Sequence, residues 1–79
     1  MARRGSSNAL VLIGNMYENK KDYKRDYPTA MSYYQKAADL GNSDAFNAIG
    51  NLYENGKGVQ KSFTKAEEYY LKAKEMSDS

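Results

Sequence analysis

The side chains best suited to binding another molecule occur twice in this chain, at a constant interval. Asn15 and Glu18 return 36 residues later as Asn51 and Glu54. An asparagine amide both donates and accepts hydrogen bonds, so it can pair with either polar group of a peptide backbone. The recurrence favours a binding surface for a peptide or protein, although a duplicated and purely solvated surface would give the same pattern.

The chain is poor in side chains that catalyse reactions. It contains no cysteine and no histidine, so it lacks a thiolate nucleophile, the usual general base near neutral pH and the commonest metal ligand. The neighbouring acids Glu67 and Glu68 lie on the polar side of a predicted helix and are interpreted as solvated. We therefore expect no catalytic residue, no metal site and no cofactor, and we expect that the protein is not an enzyme.

The paired residues belong to a longer internal repeat. One set recurs in order 36 positions later: Ala9, Ile13, Gly14, Tyr17 and Asn19 match Ala45, Ile49, Gly50, Tyr53 and Asn55. A second set does the same: Ala30, Tyr33, Tyr34, Lys36 and Ala37 match Ala66, Tyr69, Tyr70, Lys72 and Ala73. A fixed period of this length indicates a repeat architecture. We interpret residues 1–7 as a disordered basic tail, 8–43 as the first repeat and 44–79 as the second.

Each repeat is predicted to contain two helices, because its apolar residues recur at helical spacing. We name them A1 and B1 in the first repeat and A2 and B2 in the second. The fold class is therefore all-α, with four helices in two helical hairpins and no strand. The predicted core face of A1 comprises Ala9, Leu10, Ile13, Met16 and Tyr17. That of A2 comprises Ala45, Phe46, Ile49, Leu52 and Tyr53.

Polar residues that can cap a helix precede each predicted helix: Ser7 or Asn8 for A1, Asp26 for B1, Asn42 or Ser43 for A2, and Ser62 for B2. Gly41 is expected to end B1 in the left-handed conformation. Gly14 and Gly50 lie within helices, where glycine costs about 1 kcal/mol relative to alanine, so close helix packing is expected at both. Four tyrosines on the apolar faces are assigned to the core: Tyr17, Tyr34, Tyr53 and Tyr70. Tyr33 and Tyr69, which flank these faces, are assigned to half-exposed positions.

The second repeat carries the residues of a known pattern: Ala45, Ile49, Gly50, Tyr53, Gly56, Gly58, Val59, Lys65, Ala66, Tyr69, Tyr70 and Ala73. This pattern resembles the Sel1-like repeat, a relative of the tetratricopeptide repeat (TPR). The first repeat departs from it, with Lys20 and Asp22 in place of Gly56 and Gly58. The resemblance implies a short right-handed solenoid of helix pairs that acts as an adaptor or scaffold by binding proteins.

In such a solenoid the surface of the A helices opposite their core face lines a concave groove. We therefore propose that a peptide or protein partner binds in this groove and on the exposed repeat ends. The candidate partner-binding residues are Val11, Leu12, Asn15, Glu18, Asn47, Asn51 and Glu54.

Two alternative functions follow from other features. Val11 and Leu12 make A1 apolar nearly all round, whereas A2 has Asn47 and Ala48 at these positions. A helix that is apolar on all sides is normally buried on all sides, so A1 could form a homodimer, or pack against an upstream repeat or a foreign helix. The basic tail and the Lys20–Tyr27 loop could instead bind nucleic acid, but each half of that loop contains an aspartate, and a solvated loop with Tyr23 tucked under it is the preferred interpretation.

The N-terminal residues are not interpreted as a targeting signal. The apolar run Ala9–Ile13 is shorter than the roughly 7–15 residues of a signal-peptide core, and it coincides with the start of the repeat. No apolar run approaches the about 20 residues of a membrane-spanning helix, so no membrane partner is expected. The absence of cysteine is compatible with a reducing compartment such as the cytoplasm.

Overall fold

The computed structural model describes residues 2–19 and 26–78, and the side chains of residues 2–5 and 78 fall outside that description. Four helices occupy these ranges, with no strand among them: α1 Ala2–Glu18, α2 Tyr27–Asp39, α3 Ser43–Asn55 and α4 Phe63–Asp78. Each helix packs on the next along the chain. The prediction of two helical hairpins is confirmed, with α1 and α2 as A1 and B1, and α3 and α4 as A2 and B2.

Three of the predicted caps form as the sequence suggests. The Asp26 Oδ1 accepts a hydrogen bond of 3.1 Å from the backbone N–H of Thr29. Asn42 caps α3 by accepting a bond of 2.9 Å from the N–H of Asp44, and the Ser62 Oγ accepts one of 3.2 Å from Lys65. At the end of α2, Gly41 adopts a φ of 87°, in the region that glycine enters without a Cβ penalty.

The start of α1 differs from the prediction. The helix begins at Ala2, so the predicted start at Ser7 or Asn8 is wrong, and residues 2–7 are helical where a disordered tail was expected. Ser7 lies inside the helix, where it is buried and its Oγ accepts a hydrogen bond of 3.1 Å from Asn42 Nδ2. The glycine at position 5 weakens a helix by about 1 kcal/mol, which is too little to end one.

Both mid-helix glycines pack directly against a tyrosine ring of the neighbouring helix. A Cβ added at Gly14 would lie 2.6 Å from Tyr34 Cε1, and one at Gly50 would lie 2.7 Å from Tyr70 Cε1. Such distances are shorter than any real carbon–carbon contact. The two helices of each hairpin are therefore held at a separation that only glycine permits.

The core lies between the two hairpins, where α2 packs on α3. Small residues dominate it and allow the two backbones to approach closely, while one aromatic and two aliphatic side chains fill the remaining volume. Its buried members are Ala30, Tyr34, Ala37, Ala38, Ala45, Ile49 and Leu52.

The predicted core face is buried in α3 but only partly in α1. Leu52 is 0% exposed, whereas Met16, its counterpart, is 63% exposed. Ala9 is likewise exposed although its counterpart Ala45 is buried. The reason is that α2 covers this side of α3, whereas no described residue covers Ala9 and Met16 on the corresponding side of α1. Of the predicted α1 core face, Leu10 and Tyr17 pack against the core.

The burial of the tyrosine side chains differs in part from the prediction. Of the four assigned to the core, only Tyr34 is fully buried, and the others are half-buried. Tyr17 stacks on Tyr33 with ring centroids 5.8 Å apart. The half-exposed state predicted for Tyr33 and Tyr69 agrees with the structure. Tyr70 is less buried than its copy Tyr34 because no further described helix packs on α4.

The loop between α1 and α2 lies mostly outside the described residues, including Lys20, Asp22 and Tyr23. The corresponding loop of the second repeat shows why glycine is needed there. Gly58 has a φ of 74°, and a Cβ on it would collide with Tyr27 at the start of α2. Tyr27 of the first hairpin therefore restricts this position in the loop of the second hairpin to glycine.

The contact at Gly50 predicts that even a methyl group destabilises the protein. Gly50→Ala should lower the free energy of unfolding despite the better helix propensity of alanine, and Gly50→Leu should lower it by about 1–3 kcal/mol through overpacking. Urea unfolding followed by circular dichroism measures both values. Asn47→Ala, an exposed change in the same helix, is the control and should be neutral or slightly stabilising. A Gly50→Leu variant as stable as the parent would show that the contact is absent.

Candidate functional site

A groove runs along one side of the molecule between α1 and α3, which do not pack closely on each other. Its volume is about 840 Å³, within the usual range of ligand-binding clefts. Nine of its residues lie in the two helices, Asn19 directly follows α1, and the α3–α4 loop supplies one; the full set is Asn8, Val11, Leu12, Asn15, Glu18, Asn19, Asp44, Asn47, Ala48, Asn51 and Lys57. Six of the seven residues predicted from the sequence are among them, and Glu54 is not.

Helical periodicity brings the groove residues together. Side chains three, four and seven positions apart lie on the same face of a helix, and this spacing joins Asn8, Asn15 and Glu18 on α1. The same spacing joins Asp44, Asn47 and Asn51 on α3. The groove therefore has two polar walls, between which Val11, Leu12 and Ala48 provide apolar surface.

Glu18 is the most constrained residue of the groove. Its side chain is 9% exposed and lies 3.3 Å from the Lys57 Nζ. The Tyr34 hydroxyl donates a hydrogen bond of 2.7 Å to its other oxygen. Since Lys57 lies in the loop of the second hairpin, this ion pair connects the two repeats. The carboxylate of Glu18 thus has a structural role, and the groove offers little of it to a ligand.

Asn15 is held by the same tyrosine. Its Oδ1 lies 2.6 Å from the Tyr34 hydroxyl, which has a single proton and donates it to one acceptor at a time. A carboxylate is the stronger acceptor, so Glu18 takes this proton. The contact with Asn15 is then favourable when its amide turns the NH₂ group toward the hydroxyl oxygen. In either orientation the side chain is fixed at the groove wall.

The two tyrosine hydroxyls that bind glutamates keep their protons well above neutral pH. Burial, followed by the hydrogen bond and charge of Glu18, raises the pKa of Tyr34 above its ordinary value. Burial and the neighbouring Glu54 likewise raise the pKa of Tyr70 to about 12. Both hydroxyls therefore act as donors, and Tyr70 donates a bond of 2.7 Å to the exposed Glu54. Glu54 itself lies outside the groove.

Asn47 is a groove residue with unused hydrogen-bonding capacity. Its side chain is exposed, and no residue in the described part of the chain bonds to its amide. By contrast, the Oδ1 of Asn8 accepts a bond of 2.8 Å from Asn42, and the Oδ1 of Asn51 accepts one from Asn55. Asn8 and Asn51 keep their NH₂ donors for a ligand.

Sequence reasoning missed five residues of the groove: Asn8, Asn19, Asp44, Ala48 and Lys57. Helical spacing contained the signal for two of them, since Asn8 lies seven residues before Asn15 and Asp44 three residues before Asn47. Lys57 had no such signal, because the fold of a loop brings it to Glu18.

A family model described as Sel1 repeat matches residues 7–42 and, a second time, residues 43–78. The chain belongs to the Sel1 repeat family. This confirms the resemblance carried by the glycines, alanines and tyrosines of the second repeat. Sel1 repeats are TPR-like helical repeats that generally act as protein-interaction or scaffold modules, and the family is a non-catalytic one. A search of curated proteins returned no match.

In residues 2–19 and 26–78, no helix is long and apolar enough to cross a membrane. Within the same ranges, no group of three or more acidic side chains converges as a metal site would require.

Glu18 and its repeat copy Glu54 make a matched pair of substitutions. Glu18→Gln removes a partly buried ion pair and weakens a charge-assisted hydrogen bond, and should lower the free energy of unfolding by about 1–3 kcal/mol. Glu54→Gln alters an exposed group and should change it by less than about 0.5 kcal/mol. Urea unfolding of the two variants gives the comparison. Equal effects would mean that Glu18 does not join the repeats.

The raised pKa of Tyr34 predicts a loss of stability in alkaline solution. Unfolded Tyr34 loses its proton near pH 10, while the folded protein retains it, so above this pH the unfolded state binds fewer protons and is favoured. The urea midpoint should therefore fall as the pH rises above about 10. Tyr34→Phe should be less stable than the parent near neutral pH, but its urea midpoint should fall less steeply than that of the parent above about pH 10. A variant with the same slope as the parent would contradict this assignment.

Proposed function

We propose that this Sel1 repeat chain is an adaptor or scaffold that binds an extended peptide segment of its partner in the groove between α1 and α3. The exposed amide of Asn47 at the groove wall, to which no described residue bonds, is the observation that supports this most directly. An exposed amide beside an apolar floor suits a ligand with backbone groups to pair and small side chains to bury.

The dimensions of the groove suit a short segment. Its α1 wall runs from Asn8 to Asn19, a length of about 16 Å at 1.5 Å per residue. An extended chain covers this length with roughly five residues. The NH₂ groups of Asn8 and Asn51 can donate to its carbonyls, and Asn47 can both donate and accept.

The charge of the groove favours a ligand with little charge of its own. Glu18 is neutralised by Lys57, which leaves Asp44 as the groove carboxylate outside that ion pair. Asp44 lies in the first turn of α3, where the helix dipole partly compensates a negative charge. Recognition would therefore depend on hydrogen bonds and shape more than on charge.

Selection from a library of short linear peptides tests this function. Peptides that bind the parent should bind Asn47→Ala about 2- to 13-fold more weakly, since one hydrogen bond of about 0.5–1.5 kcal/mol is lost. Calorimetry measures the affinities. Gln35→Ala, an exposed amide on α2 outside the groove, is the matched control and should bind as the parent does. A library that yields no binder, or binders insensitive to Asn47→Ala, would refute groove binding.

Self-association through α1 is a second candidate function, and one observation favours it. Leu12 and Met16 are both 63% exposed on the surface of α1. Val11, which the sequence grouped with Leu12, is half-buried and packs against the core. The apolar surface open to a second copy is thus centred on Leu12 and Met16 rather than on Val11.

For the nucleic-acid alternative, residues 20–25 of the loop and the side chains of Arg3 and Arg4 lie outside the described residues.

A further inference from the structure

One face of α1 is apolar and is covered by no described residue, and we call it the outer face. It consists of Ala9, Leu12, Ile13 and Met16, which are exposed or half-exposed. The repeat copies of these residues on α3 are Ala45, Ala48, Ile49 and Leu52, and α2 packs against that side of α3. The outer face therefore has the composition of a surface that packs against a helix.

The part of α1 that carries the outer face contains no charge. Although 28% of the chain is charged, residues 5–17 include no acidic or basic side chain. An uncharged helix surface has a smaller free energy of hydration than a charged one, and it does not repel an identical surface electrostatically. Burying an unpaired charge is costly. Two copies of α1 can approach along this whole segment without that cost.

The opposite end of the molecule does not fit the outer face. Inside the chain, α2 covers α3 with residues that include Met31 and Ala38. The copies of these residues on α4 are Glu67 and Lys74, and both are exposed. Head-to-tail stacking of a second copy would place these charges on the apolar outer face. A contact between two outer faces avoids this cost.

We propose that α1 packs antiparallel against α1 of a second copy, about a two-fold axis between Leu12 and Ile13. This inference rests on the self-association proposed above and specifies its geometry. In this register Ala9 faces the partner's Met16, and Leu12 faces the partner's Ile13. The contact is isologous, as in most homodimers.

The sizes of the side chains select the antiparallel arrangement. It places the smallest residue of the face, Ala9, against the longest, Met16 of the partner subunit, so the two helices stay at a constant distance. A parallel arrangement would place methionine on methionine and alanine on alanine, which leaves a gap at one end. Antiparallel helices also align their dipoles favourably.

The extent of the outer face sets the strength of the contact. Four side chains form a smaller surface than the about 800 Å² per partner of a standard interface. The association is therefore weak, with a Kd expected between about 1 μM and about 1 mM, which sets the concentrations needed to measure it. This range determines the design of the experiment.

Sedimentation of the full chain over this range tests whether the dimer forms through the outer face. The parent should shift from monomer to dimer, and Met16→Glu should weaken the association at least about tenfold. Leu71→Glu is the matched control, because Leu71 on α4 is 56% exposed and acquires the same charge; it should associate as the parent does. A parent that stays monomeric, or a dimer insensitive to Met16→Glu, overturns the proposal and leaves groove binding intact.

Cysteine pairs test the register separately, since the chain has no cysteine of its own. In the antiparallel register a mixture of Ala9→Cys and Met16→Cys should form the mixed disulfide under mild oxidation. Each variant alone should cross-link poorly, because like positions lie about 10 Å apart along the helix axis, beyond the reach of a disulfide. Faster cross-linking of like variants would establish the parallel pairing and refute the register without refuting the dimer.

Discussion

The ring of Tyr34 lies against the backbone of Gly14, and most of the molecule depends on this contact. It sets the separation of α1 and α2, because any side chain at Gly14 would occupy the space of the ring. The same tyrosine is part of the core that α2 shares with α3. Its hydroxyl binds Glu18, which also pairs with Lys57 of the second hairpin. One residue therefore joins the packing within a hairpin to the packing between hairpins.

The two repeats have similar sequences but unequal surroundings, and this inequality explains most of their structural differences. Tyr34 is buried because α3 packs beside it, whereas Tyr70 is half-buried and its partner Glu54 is exposed. The same reasoning distinguishes the buried Leu52 from the exposed Met16. A repeat array buries the faces between its units and leaves its terminal faces open. In this chain the open face of α4 is charged and that of α1 is apolar, so the two ends differ in what they can contact.

The groove follows from the same architecture. Because α1 and α3 both pack on α2, their remaining faces flank an open channel, and the amides repeated in the sequence line it. The Tyr34–Glu18–Lys57 network stiffens one wall, while on the other wall no described residue bonds to the exposed amide of Asn47. A rigid channel with a few available polar groups suits the protein-interaction role typical of Sel1 repeats. Polar residues that looked equivalent in the sequence thus differ in how far the fold uses their hydrogen-bonding groups.

The sequence by itself determined the number of helices, their caps at Asp26, Asn42 and Ser62, the repeat period, the family, and six residues of the groove. These features depend on local periodicity and on capping chemistry, which a short stretch of chain specifies. Tertiary structure decided the burial of each repeated residue, the structural role of Glu18 and the entry of Lys57 into the groove. The reason is that burial and ion pairing depend on which segment lies alongside. Two identical residues 36 positions apart meet different neighbours once the chain has folded.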